Sequence, residues 1–245
     1  MFTREDLING PKIYQSRRRE LRTTEINNTA TLQTIMNEYG ADGWAFYNYE
    51  ENSGVITFNY VGRVIEYQVH ELSTIGLINK FNELGSQFLL FLGSVNRNAI
   101  FAYIGYDGSA VSYSTLNLEE IPEDGIRQAF EVHGQQGWQF IAEYRERPIF
   151  GYANGPVTQF VSPVHPDIDP RLQEELDALG EYGWQYIGNM PSVEHAVFAM
   201  GDHPVAFSFD RMGNPQTDSE EYFNQKGKES WKYVGSGFRV NLFMK

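Results

Sequence analysis

The chain has 245 residues, of which 41% are hydrophobic and 21% charged, and a formal net charge of −13; this is ordinary globular composition for one large domain or two smaller ones. It contains no cysteine, which excludes disulfides, thiolate–metal sites and a cysteine nucleophile. The acidity argues against general binding to a phosphate backbone, which needs clustered Lys and Arg, and no run approaches the ~18 apolar residues of a membrane span.

Taken in chain order, Met1-Phe2-Thr3-Arg4-Glu5-Asp6 is followed by no apolar core, so no signal peptide is expected. Asn9-Gly10-Pro11-Lys12-Ile13-Tyr14 reads as a first strand. The one basic cluster of the chain follows: Arg17, Arg18, Arg19 and Arg22. These four arginines are the candidate interaction site, for an acidic partner or for carboxylates on neighbouring segments. Nucleic acid is the less favoured partner for so acidic a chain.

A helix is predicted next from Leu32, Met36 and Tyr39, which share one helical face. Gly40 is expected to end it in the left-handed conformation. After a short turn, Trp44 and Phe46 alternate with period two and open a strand. A second strand, Thr57-Phe58-Asn59-Tyr60, follows, and then a third, Val64-Ile65-Glu66-Tyr67.

This order recurs. The glycines Gly40, Gly85, Gly134, Gly180 and Gly227 are spaced by 45, 49, 46 and 47 residues. The apolar helix face returns as Leu77, Phe81, Leu84; as Ile126, Phe130; as Leu172, Leu176, Leu179; and as Phe223. The Trp strand returns at Trp138, Trp184 and Trp231, with Phe88-Leu89 in its place in the second copy. The second strand returns at Ile100-Phe101, Ile149-Phe150, Val197-Phe198 and Leu242-Phe243. The third strand returns as Ala110–Tyr113, Val157–Phe160 and Val205–Phe207, entered through the turn dipeptides Asp107-Gly108 and Asn154-Gly155. Ser73, Asp169 before Pro170, and Asp218 are the expected helix caps.

The expected architecture is therefore α+β. It is one repeat domain over 1–245 with five tandem strand–helix–strand–strand units, at about 10–60, 62–103, 108–152, 155–200 and 203–245. A unit of ~40–50 residues cannot bury enough surface alone, so neighbours must share cores. A closed, pseudo-fivefold α/β ring, propeller-like, would remove exposed sheet edges; an open curved array is the alternative.

The string Leu179-Gly180-Glu181-Tyr182-Gly183-Trp184-Gln185-Tyr186-Ile187-Gly188, with the final strand Asn241-Leu242-Phe243-Met244-Lys245, resembles a small uncharacterised bacterial and phage domain of strand–helix–strand–strand order with an LGxxGW core. The second copy departs from it at Phe88 and Leu89, and the fifth at Ser230. The resemblance implies a fold and a phage- or virion-associated setting, with no established activity. Five α/β units in a ring also resemble the pentein architecture, whose guanidino-modifying members use a cysteine that this chain lacks.

The chemistry-bearing residues are sparse. The four tryptophans sit at one phase of the repeat, which points to core packing rather than to stacking platforms. His133 takes a helix position filled elsewhere by Tyr39, Leu84 and Leu179. His165-Pro166-Asp167-Ile168-Asp169 is the one string with metal-ligand character, and Asp169 is already accounted for as a cap. No phosphate loop, nucleophile elbow or His-Glu-x-x-His is present. The expected function is that of a non-enzymatic structural or protein-binding protein without cofactor or metal, acting through its surface or by assembly, in the cytoplasm or a virion. The alternative is an enzyme or small-ligand binder with a site at the centre of the ring.

Overall fold

Each unit is built around a hairpin whose two strands set an aromatic ring opposite an aromatic ring. The pairs are Phe46 with Phe58, Phe91 with Phe101, Phe140 with Phe150, Tyr186 with Phe198 and Tyr233 with Phe243. Their centroids lie 6.4, 5.5, 6.0, 5.8 and 5.7 Å apart, within the range where tilted and edge-on rings attract. All ten rings are buried. A computed structural model of the chain describes residues 18–22, 28–50, 54–103, 110–163, 171–211, 220–237 and 240–245.

The described residues form five three-stranded antiparallel sheets and five α-helices. The first sheet holds β1 (Arg18–Arg22), β2 (Trp44–Glu50) and β3 (Val55–Tyr60), with helix α1 (Thr29–Ala41) between β1 and β2. The second holds β4 (Tyr67–Glu71), β5 (Leu89–Val95) and β6 (Asn98–Tyr103), with α2 (Leu77–Ser86). The third holds β7 (Tyr113–Thr115), β8 (Trp138–Tyr144) and β9 (Arg147–Tyr152), with α3 (Ile126–Gln135). The fourth holds β10 (Gln159–Pro163), β11 (Trp184–Met190) and β12 (His195–Met200), with α4 (Leu172–Glu181). The fifth holds β13 (Phe207–Arg211), β14 (Lys232–Gly237) and β15 (Val240–Met244), with α5 (Glu220–Lys228). In every sheet the last strand lies in the middle and the first strand takes an edge. None of these sheets closes into a barrel.

The helices lie on the hairpin aromatics. Phe81 touches both Phe91 and Phe101, at 5.0 and 5.2 Å. Phe130 lies 5.1 Å from Phe150, and Phe223 lies 5.3 Å from Phe243. Asn28, which the sequence reading passed over, caps α1 by accepting a hydrogen bond from the Thr31 amide. Ser73 accepts from the Ile75 amide, but the residue before α2 is Gly76. Asp169, Pro170 and Asp218 lie outside the described residues, as do Asn9–Tyr14.

The chain divides into two compact units, 1–115 and 116–245. In the first, β2 packs along β5, and the Tyr49 hydroxyl donates to Asn96 Oδ1 at 2.7 Å. In the second, β11 packs against both β8 and β14, and the Ser192 hydroxyl donates to Glu143 at 2.7 Å. Neighbouring sheets share cores there. Met190 and Val197 join Phe130, Phe140 and Phe150 in one cluster, and Val234 and Leu242 join Leu176, Tyr186 and Phe198 in another. The sharing that the small repeat size demanded is met in this way.

Three expectations are corrected. First, the third strand begins two or three residues late. Ile65 lies across the preceding helix at Gly40, and the strands themselves begin at Tyr67, Tyr113, Gln159 and Phe207. Second, the turn dipeptide Asn154-Gly155 does not make a hairpin. The strands on either side of it, β9 and β10, belong to different sheets, and of the two residues only Asn154 has a positive φ. Asp107-Gly108 lies outside the described residues. Third, the repeat glycine does not end its helix in the left-handed conformation. Gly40, Gly85, Gly134 and Gly180 lie within their helices, and the positive φ falls three residues later, at Gly43, Phe88, Gly137, Gly183 and Ser230.

The first glycine is required by proximity instead. A Cβ on Gly40, Gly85, Gly134 or Gly180 would sit 2.1, 2.0, 2.3 or 2.2 Å from the carbonyl oxygen of Ile65, Val111, Val157 or Val205. Gly134→Ala must therefore push two backbones apart, and a loss of about 3 kcal/mol is expected. Ser230→Gly should instead gain about 1 kcal/mol by relieving a left-handed residue with φ of 70°. Urea midpoints of the two variants, moving in opposite directions, check both assignments.

Candidate interaction surface

A sheet edge is a row of unpaired amides and carbonyls that attracts other strands. In this protein the first strand of a sheet presents that edge to the helix of the unit before it, and the helix answers with side-chain amides. Gln33 of α1 donates to the Tyr67 carbonyl at 2.7 Å and accepts from the Val69 amide at 2.7 Å. Asn37, one turn on, accepts from the Tyr67 amide at 3.1 Å. Asn82 of α2 accepts from the Tyr113 amide at 2.7 Å and donates to its carbonyl at 3.1 Å. Gln173 of α4 donates to the Phe207 carbonyl at 2.9 Å. Asn37 and Asn82 stand three residues before their glycine, and Gln33 and Gln173 stand seven before. An amide suits this task because it carries a donor and an acceptor on one planar group.

The backbone fastens the same junction. The amides of Ile65, Val111, Val157 and Val205 donate to the carbonyls of Gly40, Gly85, Gly134 and Gly180 at 2.8–3.0 Å.

A second bond set reaches deeper. Every hairpin carries a bulge, at Tyr47, Leu92, Ile141, Ile187 and Val234, where one strand has an extra residue. Beside it an amide turns out of the ladder. The Phe46 amide donates to the Tyr67 hydroxyl at 2.6 Å, and that hydroxyl donates to the Trp44 carbonyl at 3.0 Å. Tyr113 does the same between the Phe91 amide and the Leu89 carbonyl, both at 2.7 Å. Gln159 replaces the hydroxyl with an amide, accepting from the Phe140 amide and donating to the Trp138 and Phe130 carbonyls. Phe207 fills the corresponding place with a buried ring. Burial pushes the phenols of Tyr67 and Tyr113 well above their ordinary value, so both stay protonated and able to donate.

Of the candidates from the sequence, Arg17 lies outside the described residues. Arg18, Arg19 and Arg22 lie on β1, opposite Asn59, Phe58 and Val55. Asn59 occupies in β3 the place of Ala102 in β6, so Arg18 holds in its sheet the place of Tyr67, Gln159 and Phe207. His165–Asp169 lies outside the described residues, and among the described ones no group of three or more His, Asp or Glu could hold a metal ion. His203 and Asp202 are exposed in a turn. The tryptophans are half-buried rather than fully enclosed. Trp138 and Trp184 pack on the margins of the shared cores, because they stand at strand ends while the aromatics two residues on fill the centre.

His133 stacks on Trp138 at 5.8 Å and meets Phe150 edge-on at 4.5 Å. Burial lowers its pKa, and burial together with Lys80 lowers that of His70, against an opposing pull from Glu83. A lowered imidazole pKa means that the unfolded chain takes up protons first as pH falls. Stability is whole above about 6.5 and declines below it.

The clasp residues Gln33, Asn37, Asn82 and Gln173 escaped the sequence reading. Their signal was present, as polar residues at a fixed phase of the helix, but only a strand edge lying against that phase gives it meaning. No family model, no curated protein and no solved structure matches the chain. No helix among the described residues is long and apolar enough to cross a membrane.

Two outcomes are expected. Tyr67→Phe and Tyr113→Phe should each cost about 1–3 kcal/mol in urea unfolding, because each strands a buried amide and carbonyl. His133→Leu should flatten the fall in thermal midpoint between about pH 6.5 and pH 5 relative to the parent chain, read by calorimetry across that range.

Proposed function

We propose that the chain is a non-enzymatic structural or protein-binding protein, with its five units closed in a pseudo-fivefold ring. What supports this is the use to which the regular polar residues are put. Gln33, Asn37, Tyr67, Asn82, Tyr113, Gln159 and Gln173 all bind main-chain atoms of a neighbouring segment. Such groups hold units in register and read backbone rather than a substrate. The chemistry is that of strand recognition at a sheet edge.

A framework of this kind presents its loops and its acidic surface to a partner. The net charge of −13 favours a basic protein surface. The resemblance of the LGxxGW units to a bacterial and phage domain extends the reading to a virion-associated or cytoplasmic assembly.

Native mass spectrometry of the protein drawn from its own source tests the reading. Recovery in an assembly of fixed stoichiometry is expected. Recovery as a free single chain, with no partner or higher assembly across the range of extraction salts, would overturn it.

A further inference from the structure

The fifth unit departs from the repeat at two places that face each other. The residue before the repeat glycine lies over the middle strand: Tyr39 is 4.3 Å from Phe58 and His133 is 4.5 Å from Phe150. Leu84 and Leu179 stand there in the second and fourth units, and Lys226 in the fifth. The other departure is on the first strand. In the fourth sheet Phe160 lies opposite Phe198, and its ring packs on Phe198 and Trp184 at 5.3 and 4.5 Å. In the fifth sheet the residue opposite Phe243 is Ser208. A leucine and a phenylalanine have become a lysine and a serine, and the small hydroxyl leaves the Phe243 and Trp231 rings to another partner.

That partner is the Lys226 ammonium. Its Nζ lies 5.2 Å from the Phe243 centroid and 5.6 Å from those of Trp231 and Tyr222, each within reach of a cation–π attraction. It donates to Ser208 Oγ at 3.2 Å and pairs with Asp210 at 3.6 Å. The Tyr222 hydroxyl donates to the same Asp210 oxygen at 2.8 Å, so the carboxylate ties one wall of the site to the charge it balances. Only 16% of the Lys226 side chain and 22% of that of Asp210 is exposed. A lysine that merely covered apolar surface would carry its ammonium out to water; this one turns it onto three rings, a hydroxyl and a carboxylate. Lys245 also approaches Trp231, at 5.7 Å, but is exposed.

We propose that the fifth unit contains an ammonium-binding site, built from Ser208, Asp210, Tyr222, Trp231 and Phe243, whose resident ligand is the chain's own Lys226 and which takes a free primary alkylammonium when that side chain is cut back. The ligand class follows from the groups. The rings attract a cation through their faces, the carboxylate balances its charge, and the hydroxyl accepts one of its protons. All of these residues belong to one repeat unit, so the site is the same whether or not the five units close in a ring.

The fragment that Lys226→Ala removes is n-propylammonium, and this is the probe. The full chain carrying Lys226→Ala should melt about 5 °C below the parent, since the desolvated cation contacts are lost. Propylammonium chloride should then raise its thermal midpoint with rising concentration, as a ligand of the folded state must, while n-propanol and equimolar sodium chloride should not. The parent, whose site is filled, should gain no more from propylammonium chloride than from sodium chloride. Adding Asp210→Asn to Lys226→Ala should remove the response. Equal gains in parent and variant, or equal rescue by propanol, would show that salt or filled space accounts for the effect and would overturn the proposal. A Lys226→Ala chain that melts with the parent would overturn it as well.

A second variant serves if Lys226→Ala does not fold. Lys226→Met keeps the length and apolar body of the side chain without the ammonium. It should melt below the parent, and Asp210→Asn should lower the midpoint of the parent more than that of Lys226→Met. Losses that simply add would show that the carboxylate and the ammonium do not form one site.

Discussion

At each junction between neighbouring units a main-chain amide reaches onto a helix glycine. The Ile65 amide meets the Gly40 carbonyl at 3.0 Å, and the Ile65 carbonyl oxygen lies where a side chain on Gly40 would be. Only a residue without a Cβ lets two backbones approach so closely. Once the strand lies there, the rest follows from what it brings along. Its edge meets the amides of Gln33 and Asn37, and its first side chain drops to the hairpin bulge, where Tyr67 takes up the amide and carbonyl that the bulge has displaced.

This arrangement resolves two costs at once. A three-stranded sheet of short strands is marginal alone and leaves two edges open. A bulge leaves ladder groups unpaired, and burying them unpaired is expensive. In the first two units the unit that follows supplies the partner for both. Stability is therefore held between units as much as within them, and substitutions at Tyr113 or Asn82 act on the joint rather than on either sheet. The third joint shows how tolerant the scheme is. Gln159 does with an amide what tyrosine does with a hydroxyl, while Arg127 lies over the Phe160 ring and pairs with Glu131.

The departures from the pattern have separate costs. Phe88 and Ser230 stand where the other units place glycine, and both adopt positive φ, 63° and 70°. The turn at Arg145-Glu146 sets two side-chain-bearing residues at positive φ in succession, where Asn-Gly is preferred. Nothing in the described structure explains why these residues stand there.

Much of the architecture was legible in the sequence. The helix faces Leu32–Met36 and Phe81–Leu84, the aromatic hairpins, the order strand–helix–strand–strand and the need for shared cores are local or periodic properties, and periodicity survives folding because each face must meet one environment. Three things were not legible, and they share a cause. The start of the third strand, the job of Gly40 and the value of Asn37 all depend on a segment some 25 to 30 residues distant lying against the helix. By itself the sequence determined that five like units exist, where their apolar faces lie, and that no cysteine chemistry is possible. Only the tertiary structure decided which unit each first strand serves. A strand edge has no hydrophobic signature, and a helix amide that binds it looks, in sequence, like any solvated polar residue.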